Sequence, residues 1–355
     1  MDALLPHDCG VLAATMAFGK TVVAADMIAR RGCSVLVLVH RKELLTQWVE
    51  RLRQFLSVSP DQIGLIGGGK RKPTGVIDVA VIQSLVRKGA VSDVVSGYGH
   101  LIADECHHLP AVSFELVARR AEARYVLGLS ATITRKDGHH PIIHMQCGPV
   151  RHRVDSRHHA ARRGMALQVR SRSTDFQTSL SLEAPGVSMP ALYAALGQDQ
   201  ARNDLIFDDV LQALEAGRCP LVLTERRDHL ESLQRRFEHF VRNLIVLHGG
   251  LSATERRVMH ESLKAAATGE RLVLATGRYI GEGFDDPRFD TLFPAMPISW
   301  KGTLAQYVGR LHREHDGKRE VIVYDYVDHS VPVLARMAAK REKGYRALGY
   351  VMDGS

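Results

Sequence analysis

Paired cysteines are absent. Five cysteines, Cys9, Cys33, Cys106, Cys147 and Cys219, are scattered singly, odd in number and without CxxC spacing. That pattern argues against a disulfide framework or a structural zinc site and for a reducing cytoplasm. No run approaches the roughly 18 consecutive apolar residues that a membrane span needs. The opening "MDALLPHDCG" lacks a basic segment leading into an apolar one, so it does not read as a secretory signal, and no membrane partner is expected. The cluster "HHPIIHMQC", with His139, His140, His144 and Cys147, has no second motif to complete four ligands. It reads as a loop followed by a strand with solvent-facing histidines.

What is present suits two packed domains. With 355 residues, 45% hydrophobic and 24% charged, the chain fits two ordinary domains of about 150 residues each. A formal net charge of +8 is consistent with a polyanionic partner. The densest basic stretch, "RHRVDSRHHAARRG" from Arg151 to Gly164, has two readings, a solvated linker and a contact to phosphates.

Short β-branched runs recur along the chain. In the first half they are "GVLAAT" (10–15), "SVLVLVH" (34–40), "VIDVAVI" (76–82), "HLIADE" (100–105) and "RYVLGLS" (124–130). They are nearly continuously apolar, as strands buried on both faces of a parallel sheet should be. "KTVVAADMIARR" and "RKELLTQWVERLRQF" repeat their apolar residues at helical spacing. A second series comprises "PLVLTE" (220–225), "NLIVLHG" (243–249), "RLVLATG" (271–277), "DTLFPAM" (290–296) and "EVIVYDYV" (320–327). The expected fold is α/β, with two tandem domains, each a mostly parallel sheet flanked by helices. The expected boundaries are 1–154 for the first domain, 155–195 for a looser linker, 196–330 for the second domain and 331–355 for a C-terminal helix or tail. Ligand sites then belong at the carboxyl ends of the strands.

"ATMAFGKT", Ala14 to Thr21, is nearly a phosphate-binding loop: Gly19-Lys20-Thr21 is right, but Ala14 stands where a first glycine is expected. Its setting, strand then loop then helix, is the required one. Alone it also reads as a structural strand–helix junction. "LIADECHH" puts Asp104 and Glu105 at the tip of a buried strand, where one carboxylate can hold Mg²⁺ and its neighbour can activate water; an ordinary acidic strand end is the plainer reading.

"FGKT", "DECH" (104–107), "SAT" (130–132) and "QYVGRLHR" (306–313), in that order, resemble the motifs of superfamily 2 helicases and translocases, closest to the DEAD/DEAH-like branch with the XPB repair translocase and the helicase subunits of restriction enzymes. The resemblance implies two RecA-like lobes with ATP between them and nucleic acid across both. It assigns Ala17, Phe18, Gly19, Lys20 and Thr21 to phosphate binding, Thr21 and Asp104 to Mg²⁺, and Glu105 to the attacking water. His107, Ser130 and Thr132 would couple hydrolysis to movement. From the second lobe Gln306 would sense the γ-phosphate, and Arg310 and Arg313, three apart on one helical face, would act as arginine fingers. "ATGRYIGEGFDDP" (275–287) is similar to a further motif, in which Gly283 and Asp285 approach the nucleotide.

By the same resemblance, Arg41, Lys42, Gln83 and Ser84 of the first lobe and Thr224, Arg226, Gly249 and Thr276 of the second grip nucleic acid, DNA in preference to RNA. Contacts of this kind reach the sugar–phosphate backbone and carry little sequence preference. Relatives carry an upstream Gln that reads adenine, and "MDALLPHD" has no match to it. The chain is therefore expected to be a shortened product or one module beside others, such as a nuclease, a primase or repair factors. The expected activity is a nucleic-acid-dependent ATPase that translocates or remodels; the alternative is a catalytically weak nucleic-acid-binding module.

Overall fold

The computed structural model describes residues 3–14, 18–107, 109, 111–131, 141–154, 165–178, 188–265, 269–277, 279, 286–298 and 301–353. The chain divides into two compact units, Met1–Asp155 and Ser156–Ser355.

The first unit contains β1 (Cys9–Ala13), α1 (Lys20–Arg31), β2 (Val35–Val39), α2 (Lys42–Phe55), β3 (Ile63–Gly67), β4 (Lys70–Lys72), β5 (Ile77–Val81), β6 (Val86–Arg87), β7 (Ala90–Val91), β8 (His100–Ala103), α3 (Ala111–Arg120), β9 (Tyr125–Ser130), α4 (Pro141–Cys147) and β10 (Val150–Arg153). Its sheet runs β10-β1-β9-β8-β2-β5-β3-β4, parallel throughout except for the β3–β4 hairpin. Every residue of β2, β5 and β8 is buried, which is why their sequences carry no polar alternation. α2 covers one face through Leu45, Trp48, Val49 and Leu52, an i, i+3, i+4, i+7 stripe.

"HHPIIHMQC" is corrected by this description. Its described part is the helix α4, not a strand, because Ile143 and Cys147, four apart, both turn into the core. His144 is exposed, and among the described residues no cluster of His, Cys, Asp and Glu is arranged to hold a metal. All five cysteines are free.

The second unit contains β11 (Ala166–Ser173), α5 (Met189–Gln198), α6 (Gln200–Glu215), β12 (Pro220–Thr224), α7 (Arg227–Phe237), β13 (Leu244–Leu247), α8 (Ala253–Ala265), β14 (Leu272–Thr276), β15 (Thr291–Pro294), α9 (Lys301–Leu311), β16 (Glu320–Val327), α10 (Pro332–Ala347) and β17 (Val351–Met352). Its sheet runs β13-β14-β12-β15-β16-β11-β17, every pair parallel.

The stretch expected as a looser linker holds β11, which runs beside β16 over its full length. In "ALQVRSRS" only Leu167 and Val169 are buried, so the strand lacks the continuous apolar run of its neighbours. The expected tail likewise joins this unit: α10 buries Leu334, Met337 and Tyr345, and β17 closes the sheet beside β11. One buried ion pair joins α6 to the residue after β16, and a second holds α10 on β16. Arg202 Nε lies 2.9 Å from Asp328 Oδ1, and Arg341 Nε lies 2.7 Å from Asp325 Oδ1.

Candidate functional site

The carboxyl edge of the first sheet brings three separate stretches of sequence together. Ala13 at the end of β1 is in register with Ser130 at the end of β9, and Ala103 of β8 lies opposite Gly128 of β9. The backbone continues the sheet one step past these ends: Ala14 N–H donates to Ser130 O at 2.9 Å and Asp104 N–H to Leu38 O at 2.9 Å. The loop leaving β1, the "DECH" turn and the end of β9 are therefore neighbours because their strands are.

Side chains close the cluster. Lys20 Nζ is 2.8 Å from Glu105 Oε1 and donates to Ala14 O at 3.3 Å. Glu105 Oε2 accepts from Ala131 N at 3.3 Å and lies 3.4 Å from His107 Nδ1, which is 2.7 Å from the Ser130 hydroxyl. Glu105 sits at φ 42, a left-handed conformation that costs a non-glycine residue roughly 1–2 kcal/mol. The surrounding bonds hold it there, with its carboxylate turned toward Lys20. Burial, followed by the charge of Glu105, pushes the Asp104 carboxyl up to about 6, against the pull of the Trp48 indole and Lys20.

These residues fit a magnesium–nucleotide. α1 starts after Gly19, which is at φ 90 and has no side chain to cap the helix, and the first turn holds no acidic residue. Its leading amide N–H groups and the positive end of its dipole are thus left for an anion. The Asp104 carboxylate and the hydroxyl of Thr21, in that first turn, are the hard oxygen donors that Mg²⁺ takes. Phe18, just before this helix, packs against the core beside it. Ala17 and Thr132 lie outside the described residues.

Further along the same edge, Arg41 is the N-cap of α2 and Lys42 its first residue, and Arg41 makes no side-chain cap bond. Gln83 and Ser84 are exposed on the short turn Ile82–Ser84 that follows β5.

Within the second unit, Thr224 and Thr276 end adjacent parallel strands in register. Thr224 is 1% exposed and its hydroxyl is 3.0 Å from His229 Nδ1, so it supports the turn and does not present a hydroxyl for contact. Arg226 is held on Asp228, and Gly249 is exposed in the turn after β13. Tyr307 of α9 donates to Glu225 Oε1 at 2.7 Å, beside Gly277, where a Cβ would run into the Tyr307 hydroxyl. This contact joins the ends of β12 and β14 to the helix that carries Gln306 and Arg310. Arg310 is 8% exposed. α9 closes at Leu311, so Arg313 lies in the following turn and does not share a helical face with Arg310. Gly283 and Asp285 lie outside the described residues, and the neighbouring Asp286 is taken up by Arg271 and Arg288.

Sequence reading passed over one residue of the first unit. Trp48 Nε1 donates to Asp104 Oδ2 at 2.7 Å. Its place in the apolar stripe of α2 marked it as core, and nothing in the spacing signalled the bond.

Residues 7–135 match the family described as type III restriction enzyme, res subunit. The chain is 23% identical over 346 residues to a putative ATP-dependent RNA helicase of Acanthamoeba polyphaga mimivirus, covering 96% of this chain and 64% of the viral protein. It is 31% identical over 153 residues to a DNA 3'-5' translocase, XPB2, of Sulfurisphaera tokodaii, covering 43% of this chain and 34% of the archaeal protein. The chain thus spans less than two thirds of either relative. Among solved structures, S. cerevisiae Dbp5 bound to RNA and ADP BeF3 is similar in fold, with a TM-score of 0.65 and 13% identity, covering 99% of this chain and 87% of that one.

Proposed function

From the chain's membership in superfamily 2 of the helicases and translocases, we propose that it is a nucleic-acid-stimulated ATPase that uses hydrolysis to move along or remodel DNA. The observation that carries this reading is the meeting of Lys20, Asp104, Glu105, His107 and Ser130 at one sheet edge beside the uncapped start of α1.

The proposed roles follow from those contacts. Gly19, Lys20 and Thr21 receive the phosphates, with the α1 amides completing the cradle. Lys20 exchanges Glu105 for a phosphate oxygen, which frees Glu105 Oε1 to orient and deprotonate the attacking water. Asp104 and Thr21 would hold Mg²⁺, which neutralises charge on the phosphate oxygens. His107, bonded to Ser130, reports the state of Glu105 to β9 and onward to Thr132. Gln306, Arg310 and Arg313 are the proposed contribution of the second unit to the same phosphates, with Gly283 and Asp285 beside the nucleotide.

Arg41, Lys42, Gln83 and Ser84 of the first unit, and Arg226, Gly249 and Thr276 of the second, are proposed to meet a nucleic-acid backbone. Arg41 at the N-cap and Lys42 at the first position put two cations at the start of α2, beside the one acidic residue of that turn, Glu43, and favour phosphate there. The archaeal relative is a DNA translocase, which tilts the proposed choice of strand to DNA. Five free thiols suit a reducing cytoplasm, and among the described residues no helix is long and apolar enough to cross a membrane. By the motif resemblance, nuclease, primase or repair modules are proposed to act beside it.

The reading as a catalytically weak binding module is not favoured, because the lysine and both carboxylates are present and in contact distance of one another's supports. The deciding experiment measures ATP hydrolysis by the folded chain alone and with single- and double-stranded DNA and RNA. Stimulation, strongest with DNA, is the expected result; absence of stimulation by every strand type overturns the proposal.

A further inference from the structure

Asp104 is held on both of its oxygens. Oδ1 accepts the Glu105 backbone N–H at 3.0 Å, and Oδ2 accepts the Trp48 indole N–H at 2.7 Å. Trp48 is 3% exposed, and the rest of its stripe on α2, namely Leu45, Val49 and Leu52, is buried in the same apolar cluster as the side chains of β2 and β5. A phenylalanine would keep a smaller aromatic ring in that core and form no such bond. The indole is therefore placed to aim a polar group at the end of β8, where the core runs out.

The torsion that turns a carboxylate about its last bond is broad, so an aspartate at a strand tip has no preferred plane of its own. Two donors, one on each oxygen, fix that plane. The donor on Oδ2 is neutral. It orients the carboxylate while leaving its full negative charge, whereas a lysine or arginine at the same place would compete with a cation. Each oxygen keeps a lone pair for a cation, and an outer partner that orients a ligating carboxylate typically contributes 10–100-fold in metal affinity.

We propose that Trp48 is a positioning residue, whose indole N–H sets the Asp104 carboxylate for a divalent cation at the phosphate site. This rests on the reading of Lys20, Asp104 and Glu105 as a magnesium–nucleotide site. Trp48 also stands six residues into the helix that begins with Lys42, about 9 Å along its axis at 1.5 Å per residue. A strand seated on the start of α2 and a cation seated on Asp104 thereby bear on one rigid element within a single unit.

The test uses the chain and Trp48→Phe, which keeps an aromatic ring in the core and removes the donor. Binding of a fluorescent ADP analogue is measured across Mg²⁺ concentrations, with a chelator arm that contains no free cation. The Phe variant is expected to need about tenfold more Mg²⁺ for half-maximal enhancement of binding, with affinity in the chelator arm within about twofold of the parent. Unchanged Mg²⁺ dependence overturns the proposal, and so does an equal loss in both arms, which would mean that Trp48 only packs. Should the unsubstituted chain bind no ADP in either arm, the nucleotide reading itself falls and the role of Trp48 with it. A second measurement does not depend on the folding of the Phe variant: in a Trp300→Phe background, Trp48 is the sole tryptophan. Its emission should change as Mg²⁺ is added to the ADP complex, and the change should disappear with Asp104→Ala. A flat emission overturns the proposal.

Discussion

The two units share one architecture and bury charge in different places. In the first, Lys20, Asp104 and Glu105 gather at the carboxyl edge of the sheet, where the start of α1 stands open to an anion. In the second, charge lies within the packing: Arg202 binds Asp328 and the Ala295 carbonyl, Arg341 binds Asp325 and the Tyr326 carbonyl, and Arg172 binds Asp209. Burial raises the Asp325 carboxyl even so, with Arg341 working against it. The difference separates two meanings of a buried ionisable group. Where a pair lies inside the packing it fixes a helix on the sheet; where paired charges stand at the carboxyl edge beside a helix start, their place is one suited to chemistry.

The contrast can be broken most sharply at Glu105. Glu105→Gln should lower ATP hydrolysis about 10²–10⁴-fold, and Lys20→Ala should abolish phosphate binding and turnover, both with folding stability within about 1 kcal/mol of the parent. Steady-state hydrolysis beside a urea denaturation curve checks this; a large loss of stability would make the edge cluster structural after all. Arg202→Met is the converse. It leaves Asp328 buried without its cation and should cost the second unit about 3–5 kcal/mol. In denaturation followed by limited proteolysis, the second unit should be cleaved first while ADP still binds; a cost below about 1 kcal/mol would erase the distinction.

Acid should act on both units alike. His100 in the first and His229 in the second are lowered from 6.5 to about 3, in each case chiefly by burial. The unfolded chain binds a proton at each that the folded chain refuses. Stability is therefore complete above pH 6.5 and lost as the pH falls from there toward 3, by about 1.4 kcal/mol per pH unit for each histidine. Urea unfolding between pH 7 and pH 5 measures the slope, and His229→Gln should flatten it for the second unit alone. The smallest effect is expected at Lys42. Lys42→Ala should weaken DNA binding a few-fold and reduce the slope of log affinity against log salt by about 1; an unchanged slope removes Lys42 from the backbone contacts.

Much of this was legible in the sequence because continuous apolar runs report strands buried on both faces. "SVLVLVH", "HLIADE" and "EVIVYDYV" fall on β2, β8 and β16. β11 escaped notice for the opposite reason: two buried residues among arginines and serines give the pattern of a half-covered strand near a sheet edge. α4 was misread because a seven-residue helix holds too few turns to display its period. At the site, the residue types of "GKT" and "DECH" stand out along the chain, whereas their partners in the structure do not. That Lys20 rests on Glu105, and that an indole steadies Asp104, depends on strand register across the sheet, which no local spacing encodes.

The last strand of the second unit, Val351–Met352, lies parallel to its first, with Gln168 opposite Val351 and Val169 opposite Met352. The first and last described strands of the unit are accordingly next-door neighbours. A short peptide would bridge them, and the chain could be reopened at the turn around Gly217, between α6 and β12, without parting any strand pair. A gene rearranged in that order should still produce the same sheet, so the connectivity of this half is one of several that its packing permits.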